Sequence, residues 1–325
     1  SDRTDVTELF EGREGDDVTD GRGGFDMVRF DNATGGVTAS LVSGTATGGG
    51  IGNDTFTNIE GLWASSHADV LTGGNAANGT SVNDLLLSEF FMGGGGSDTI
   101  DGGQGYDVAS YQTSTTGVSV TLNDTLDGVG NDGFGGTDVL RNIEGVRGSA
   151  HNDVLTGSNT AGFESFEGRE GNDTINGLGG TDRADYARSK GGIDVNLVSG
   201  IALDGYGSTD TLTGIENVRG STFNDVLTGD ANVNWLEGRA GDDTLTGGAG
   251  NDVFAYAASS SGTDTITDFG VGDIVGIAAT LTVGTATVGD GSAVTGKNVQ
   301  VSSSGGVTTL WIDTNNAVGA ELQIN

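Results

Sequence analysis

Apolar residues recur every nine positions in the segment 227–254, as Leu227, Leu236, Leu245 and Phe254. Acidic or amide residues recur with the same spacing two positions earlier, as Asp225, Asn234, Asp243 and Asp252. A nine-residue unit has room for a tight turn and a strand of about three residues. Because such a unit buries only one apolar side chain, the pattern predicts strands that stack on neighbouring copies of themselves.

A second pattern alternates apolar and polar residues in three short segments, V-T-A-S-L at 37–41, V-S-V-T-L at 118–122 and I-D-V-N-L at 193–197. Alternation with a period of two predicts strands that bury one face. A loop rich in Gly, Asp and Thr is expected after each of these strands. The fold class is therefore predicted to be all-β.

These patterns belong to a longer repeat. Similar blocks open at Phe10, Phe91, Phe166 and Leu236, as in F-E-G-R-E-G-D-D at 10–17 and F-E-G-R-E-G-N-D at 166–173. The spacings of 81, 75 and 70 residues predict one repeating unit with insertions in its loops. We expect repeat blocks at 1–90, 91–165, 166–235 and 236–262.

Residues 263–325 have fewer Asp-containing turns and form a separate region in this prediction. A hairpin is expected from Val299–Val301 and Val307–Ile312 around Ser304, Gly305 and Gly306. A non-repetitive end of this kind would cap the open edge of a stacked β-structure.

Composition adds a constraint on partners. The 325 residues include 62 Gly, no Pro and no Cys, with 46 acidic against 13 basic residues and a formal net charge of −33. Nucleic acid is excluded as a partner because its phosphates require basic patches. No apolar run approaches the length of a membrane span. With 34% hydrophobic residues, such a chain is expected to fold poorly unless cations compensate its charge.

The turns that separate the strands share the pattern G-G-x-G-x-D-x-U-x, in which U is apolar. The segment G-G-A-G-N-D-V-F-A at 247–255 matches it fully. Related segments begin at residues 21, 93, 102, 168, 177 and 238. Calcium takes six to eight oxygen ligands in flexible geometry, which glycine-turn carbonyls and one carboxylate per turn can supply. The motif therefore predicts calcium binding.

Over roughly residues 11–269 the chain resembles the RTX, or hemolysin-type calcium-binding repeat, family. The resemblance implies a right-handed parallel β-roll, with two nonapeptides per coil and each ion between turns about 18 residues apart. It would pair Asp225 with Asp243, Asn234 with Asp252 and, across a two-residue insertion, Asp153 with Asp173. T-D-T-I-T-D-F at 263–269 and its β-rich tail are similar to the end of type I secreted members, which have no cleaved leader.

The predicted calcium ligands are the motif aspartates and the glycines two residues before many of them. They are Asp17, Asp26, Asp98, Asp107, Asp153, Asp173, Asp182, Asp225, Asp243 and Asp252, with Gly24, Gly96, Gly105, Gly180, Gly241 and Gly250.

Two departures from the motif change these expectations. His67, His151 or Phe223 replaces the fourth-position Gly in three turns, which are expected to make incomplete sites or none. Arg13, Arg169 and Arg239 replace the second Gly, which is tolerable if the residue keeps a negative φ, and these arginines are expected to pair with nearby carboxylates.

Catalytic chemistry is not expected. His67 and His151 occupy equivalent repeat positions, with Phe223 in the third copy, which favours a surface ring over a catalytic base. Neither an H-E-x-x-H nor a G-x-S-x-G motif occurs. Glu60, Glu144 and Glu216 share one repeat position and are expected to be structural.

The leading hypothesis is a secreted structural protein that folds on calcium after type I export and contributes to a bacterial surface layer, filament, matrix or adhesin. One alternative is the secretion and folding module of a larger protease or lipase. A second is a solenoid that binds polysaccharide or ice, which the irregular block spacing disfavours. Self-assembly through an open strand edge is a separate expectation.

Overall fold

The computed structural model describes residues 7–74, 88–123, 126–257, 260–278, 287–288, 299–304, 307–312 and 322–325. Regular structure in these residues is entirely β-strand, which confirms the predicted class. None of the described residues lies in a helix long and apolar enough to cross a membrane. The chain divides into two compact units, Ser1–Thr181 and Asp182–Asn325.

The N-terminal unit is built from short strands joined by glycine-rich turns. In chain order its described strands are β1 (Thr7–Phe10), β2 (Val18–Asp20), β3 (Phe25–Arg29), β4 (Val37–Ser40), β5 (Thr45–Gly48), β6 (Asn53–Thr57), β7 (Gly61–Trp63), β8 (Val70–Thr72), β9 (Ser88–Met92), β10 (Thr99–Asp101), β11 (Tyr106–Ser110), β12 (Ser119–Thr121), β13 (Gly128–Asn131), β14 (Thr137–Arg141), β15 (Gly145–Arg147), β16 (Val154–Thr156), β17 (Phe163–Glu167) and β18 (Thr174–Asn176).

These strands form two sheets. Sheet N1 has the order β1-β3-β7-β9-β11-β15-β17, and all its pairings are parallel. Sheet N2 has the order β2-β6-β5-β4-β8-β10-β14-β13-β12-β16-β18. The chain passes back and forth between the two sheets, as expected for a parallel β-roll.

Sheet N2 departs from the expected loops. After β4 and after β12 the chain forms two further antiparallel strands, β5–β6 and β13–β14, before it returns to sheet N1. The predicted loop is therefore wrong over these strands. In β6 the buried positions alternate with exposed ones, but the buried residues are Asp54 and Phe56. Because one of them is charged, the sequence shows no apolar alternation there.

The C-terminal unit repeats this architecture. Its described strands are β19 (Thr181–Asp185), β20 (Asp194–Asn196), β21 (Ile201–Leu203), β22 (Thr209–Thr213), β23 (Asn217–Arg219), β24 (Val226–Thr228), β25 (Trp235–Glu237), β26 (Thr244–Thr246), β27 (Val253–Ala257), β28 (Gly262–Ile266), β29 (Ile274–Ala278), β30 (Thr287–Val288), β31 (Val299–Ser304), β32 (Val307–Ile312) and β33 (Leu322–Ile324).

Sheet C1 of this unit is the parallel series β19-β23-β25-β27-β29. Sheet C2 runs β22-β21-β20-β24-β26-β28-β33-β32-β31-β30. The antiparallel pair β31–β32 confirms the predicted hairpin. Strand β28, at the start of the non-repetitive end, pairs with the repeat strand β26 on one side and with β33 on the other, so this end lies along the edge of the repeat strands.

The core of the C-terminal unit includes a stack of the apolar residues that the nine-residue pattern identified. Leu227, Leu236, Leu245 and Phe254 are all fully buried. Leu227 lies opposite Leu245 in sheet C2, and Leu236 lies opposite Phe254 in sheet C1. Burial of one such side chain stabilises the fold by about 1.5–3 kcal/mol. Because the apolar residue opposite it belongs to the next coil, each coil depends on its neighbours for this stabilisation.

Candidate metal centre

The turns that join the strands stack in register, so that each motif aspartate contacts the turn one coil away. The Asp225 amide donates to Asp243 Oδ1 over 2.9 Å, and the Asn234 amide donates to Asp252 Oδ1 over 2.9 Å. The Asp153 amide donates to Asp173 Oδ1 over 2.8 Å. The three turn pairs implied by the family resemblance therefore face one another in the structure.

The second carboxylate oxygen in many of these turns is buried without a hydrogen-bond partner. The Asp243 and Asp252 side chains are each 1% exposed, and Oδ2 of both lacks a partner. Oδ2 of Asp17, Asp26, Asp98 and Asp264 and both carboxylate oxygens of Asp107 are likewise buried atoms without a hydrogen-bond partner. A buried, uncompensated carboxylate costs several kcal/mol. Such oxygens require a proton or a cation.

The carboxyl groups in these turns have raised pKa values, because burial and neighbouring carboxylates disfavour their ionised forms. Burial, and then the neighbouring Asp138 carboxylate, raises the pKa of Asp98 to about 8. Burial, and then Glu144 and Glu89, raises the pKa of Asp107 to about 8. A divalent cation beside these groups would stabilise their ionised forms and reverse the shift.

Glycine is required where the motif has it, because the carboxylate and the carbonyls of the next coil occupy the side-chain space. A Cβ atom on Gly238 would lie 2.2 Å from Asp243 Oδ2. A Cβ on Gly241, whose φ is +126°, would lie 2.5 Å from the Phe223 carbonyl oxygen. The turns thus bring backbone oxygens and the carboxylate close together.

The other predicted glycine positions have the same backbone conformation. All six have positive φ: Gly24, Gly96, Gly105, Gly180, Gly241 and Gly250.

Among the described residues, no group of three or more His, Asp or Glu side chains is placed to hold a metal by itself. A cation at these turns must therefore draw most of its ligands from backbone carbonyls. Hard oxygen donors with one or two carboxylates fit calcium, which accepts flexible geometry, better than a transition metal.

In three turns a serine donates hydrogen bonds to both carboxylate oxygens of the aspartate, and we call these turns serine-closed. In the turn of Asp225, the Ser221 amide donates to Oδ2 and the Ser221 hydroxyl donates to Oδ1, both over 2.7 Å, and the Ile193 amide donates to Oδ1 over 2.9 Å. Ser149 closes the Asp153 turn in the same way, with the Val118 amide as the third donor.

The third closed turn is that of Asp69, in which Ser65 takes the place of Ser221. These three turns were expected to be deficient because of the residue at the fourth position. The structure shows a further reason at the second position, where serine satisfies the carboxylate. Asp153 and Asp225, both predicted as ligands, therefore already have hydrogen-bond donors on both oxygens.

Arg13, Arg169 and Arg239 do not keep the negative φ on which their tolerance in place of glycine was expected to depend. Their φ angles are +68°, +76° and +77°, in the left-handed region that Gly94, Gly103 and Gly248 adopt at the same position of other turns. Long-range contacts accompany this conformation: Arg169 donates to the Gln112 carbonyl over 3.2 Å and Arg239 to the Ala187 carbonyl over 2.8 Å. Arg13 pairs with Glu11 over 3.1 Å, as the sequence suggested.

Several aspartates at equivalent positions were not predicted from the sequence. The Asp98 amide donates to Asp138 Oδ1 and the Asp243 amide to Asp264 Oδ1, each over 3.0 Å. The signal that could have found them is an apolar residue two positions later, as in the motif. The missed aspartates in the same rows are Asp54, Asp138, Asp264 and Asp273.

A β-roll whose turns present buried, uncompensated carboxylates beside glycine carbonyls defines a metal-binding repeat protein. A model of the RTX calcium-binding nonapeptide repeat matches the chain in four copies, at residues 90–109, 158–187, 210–235 and 230–258. The chain thus carries the calcium-binding repeats of the RTX family, as its motifs predicted. No curated protein matches the chain.

Proposed function

We propose that this chain is an extracellular structural protein whose repeats fold when they bind calcium after type I export. In this proposal it contributes to a bacterial surface layer, filament, matrix or adhesin, and its ions stabilise the fold and catalyse no reaction. The observation that carries the proposal is the recurring buried carboxylate oxygen without a partner, as in Asp243 and Asp252.

Charge supplies the reason for a folding switch. The net charge of −33 opposes compaction, and each calcium ion that binds offsets two negative charges. Each coil buries few apolar side chains, so burial alone compensates poorly for the entropy of ordering the glycines. A chain of this kind stays unfolded where calcium is scarce and folds where calcium is plentiful.

The calcium concentration at which the chain folds tests this proposal. We expect a cooperative gain of β-structure, followed by far-UV circular dichroism, with a midpoint at about 10⁻⁴–10⁻³ M calcium, the affinity range of extracellular calcium modules. A midpoint at or below about 10⁻⁷ M would contradict folding after export, because the chain would already be folded before it left the cell.

Self-assembly is a separate part of the proposal. Particle size, measured by light scattering with calcium and with chelator, is expected to increase in calcium beyond that of a single chain. A monomer under both conditions would reject assembly while leaving calcium-dependent folding intact.

A further inference from the structure

An unbroken row of acidic residues crosses sheet N1 where its strands begin. Each of the seven strands in this sheet has, at the same register, one acidic residue, which is either the second residue of the strand or the residue just before it. The seven residues are Glu8, Asp26, Glu60, Glu89, Asp107, Glu144 and Glu164. Neighbouring members are one strand spacing apart, about 4.8 Å along the sheet.

Only two members of this row, Asp26 and Asp107, belong to the glycine-rich nonapeptide turns. Glu60 and Glu144 lie instead in short N-I-E turns, at 58–60 and 142–144, which have no glycine loop. The calcium-binding motif therefore assigns no role to these glutamates.

The glutamates occupy the place that an aspartate has elsewhere in the roll. The Asp107 amide donates to Glu144 Oε2 over 2.9 Å, and the Asp26 amide donates to Glu60 Oε2 over 2.9 Å. This is the contact that joins successive aspartates in other turns, as between Asp225 and Asp243. The longer glutamate side chain makes the contact from a shorter turn.

Asp107 supplies an independent indication of a ligand. Its side chain is 0% exposed, and neither carboxylate oxygen has a hydrogen-bond partner. Its register neighbour on one side is Glu89, and Glu144 lies on the other. A fully buried carboxylate between two others is uncompensated unless a proton or a cation joins it.

A backbone carbonyl oxygen also lies beside this pair. The Asn142 carbonyl oxygen fills the side-chain space of Gly102, since a Cβ atom on that glycine would lie 2.3 Å from it. The Asn142 side-chain amide donates to Asp101 Oδ1 over 2.7 Å, which fixes the N-I-E turn against the neighbouring glycine turn. The Asp107 carboxyl carbon lies 2.7 Å from the same Cβ position, so this carbonyl oxygen is close to the Asp107 carboxylate, and a hard divalent cation binds both kinds of oxygen.

We propose that Asp107 and Glu144 together hold one divalent cation, and that Asp26 and Glu60 hold another in the same way. These sites rest on the proposed calcium-dependent folding and extend it to glutamates outside the nonapeptide motif. Calcium is the expected ion because all the donors are oxygen atoms.

The test compares the number of calcium ions bound by the full chain and by three variants, measured by equilibrium dialysis at saturating calcium. Glu144→Gln keeps an oxygen that can accept the Asp107 amide but removes the charge. We expect Glu144→Gln and Asp107→Asn each to bind one ion fewer than the wild type. The double variant is expected to lose the same single ion, because the two residues share it.

Glu14→Gln is the matched control, since Glu14 is exposed and the substitution removes the same charge. It is expected to retain every ion. If Glu144→Gln binds as many ions as the wild type with the same affinity, Glu144 only accepts a hydrogen bond and the proposal is overturned. A double variant that loses two ions overturns the shared site.

Failure of the underlying function has a different outcome, because the wild-type chain itself would then bind no calcium. Circular dichroism at saturating calcium establishes that each variant is folded. If Glu144→Gln does not fold, Glu60→Gln and Asp26→Asn provide the same comparison at the second pair. Glu144→Asp, which restores the charge on a shorter side chain, is expected to recover the lost ion at lower affinity.

Discussion

The turns of Asp225 and Asp243 lie one coil apart in the same row, and they satisfy their carboxylates by different means. Both Asp225 oxygens accept hydrogen bonds from Ser221. Asp243 Oδ1 accepts the Asp225 amide, whereas Oδ2 is buried without a partner. One turn is complete within the protein, and the other leaves a buried oxygen that requires a proton or a cation. In the proposed function, the roll therefore combines turns that form by themselves with turns that calcium closes.

The largest effect is expected from Gly238→Ala in the cation-dependent turn. The added methyl group would lie 2.2 Å from Asp243 Oδ2 and displace the carboxylate from its position. We expect loss of the ion at this turn and destabilisation by about 2–4 kcal/mol, measured by thermal unfolding in saturating calcium.

Gly23→Ala is the matched control for this substitution. Gly23 lies in a turn of the same motif, but nothing lies within 4 Å of a Cβ placed there. We expect its calcium binding and melting temperature to be close to those of the wild type. Equal effects of the two substitutions would show that the space that Gly238 leaves beside the Asp243 carboxylate does not contribute to stability or calcium binding.

The serine-closed turn should respond differently. Ser221→Ala removes the hydroxyl that donates to Asp225 and is expected to destabilise the folded chain by about 1–3 kcal/mol in saturating calcium. The number of bound ions should not change, because this turn is closed by hydrogen bonds. A lost calcium ion in dialysis would contradict the comparison. Ser43→Ala, at an exposed serine, is the control.

Acidity should affect the two kinds of turn unequally. Burial raises the pKa of Asp243 and Asp264 from 3.8 to about 7 and that of Asp98 to about 8. A raised carboxyl pKa means that the folded state binds the proton more tightly than the unfolded state. This contribution is fully present below about pH 4 and is lost as the pH rises through 7 to 8.

In chelator, the β-structure measured by circular dichroism should therefore be greater at pH 5 than at pH 8. In calcium, protons compete with the ion at these carboxylates, so each folded chain should bind fewer ions at pH 5 than at pH 8, measured by equilibrium dialysis below saturating calcium. Metal-free structure that increases with pH would contradict the assignment of buried, uncompensated carboxylates.

The smallest effect concerns the arginines in left-handed conformation. Arg239→Ala loses the hydrogen bond to the Ala187 carbonyl and keeps a side chain at positive φ, so it should destabilise by about 1–2 kcal/mol. Arg239→Gly loses the same bond but relieves the backbone by about 1 kcal/mol, and it should be nearly neutral. If both variants unfold at the same temperature, the backbone conformation contributes nothing.

Much of the fold follows from the sequence because the nine-residue period ties one apolar residue to each short strand. Leu236, Leu245 and Phe254 were predicted to stack and are buried in parallel strands. The antiparallel strands β5 and β6 were not predicted, because their inward positions include a small residue, Ala46, and a charged one, Asp54. Such residues do not produce a visible apolar alternation.

The candidate site could be predicted in part, for a related reason. The motif identifies which turns carry an aspartate, but the state of each carboxylate depends on donors from other coils. The Ile193 amide reaches Asp225 from 32 residues away, and the Asp98 amide reaches Asp138 from 40 residues away. Local spacing contains no information about these partners. The closing serines are a local signal that the motif does not include, because each lies four residues before its aspartate, as Ser221 does before Asp225.

The dependence of the whole roll on calcium is tested most directly by thermal unfolding of the full chain, followed by far-UV circular dichroism, in millimolar calcium and in excess chelator at pH 8. We predict a cooperative β-sheet signal and a defined melting transition in calcium, and the loss of both in chelator. The same β-sheet signal and the same melting temperature under both conditions would contradict the claim that cations hold these turns together.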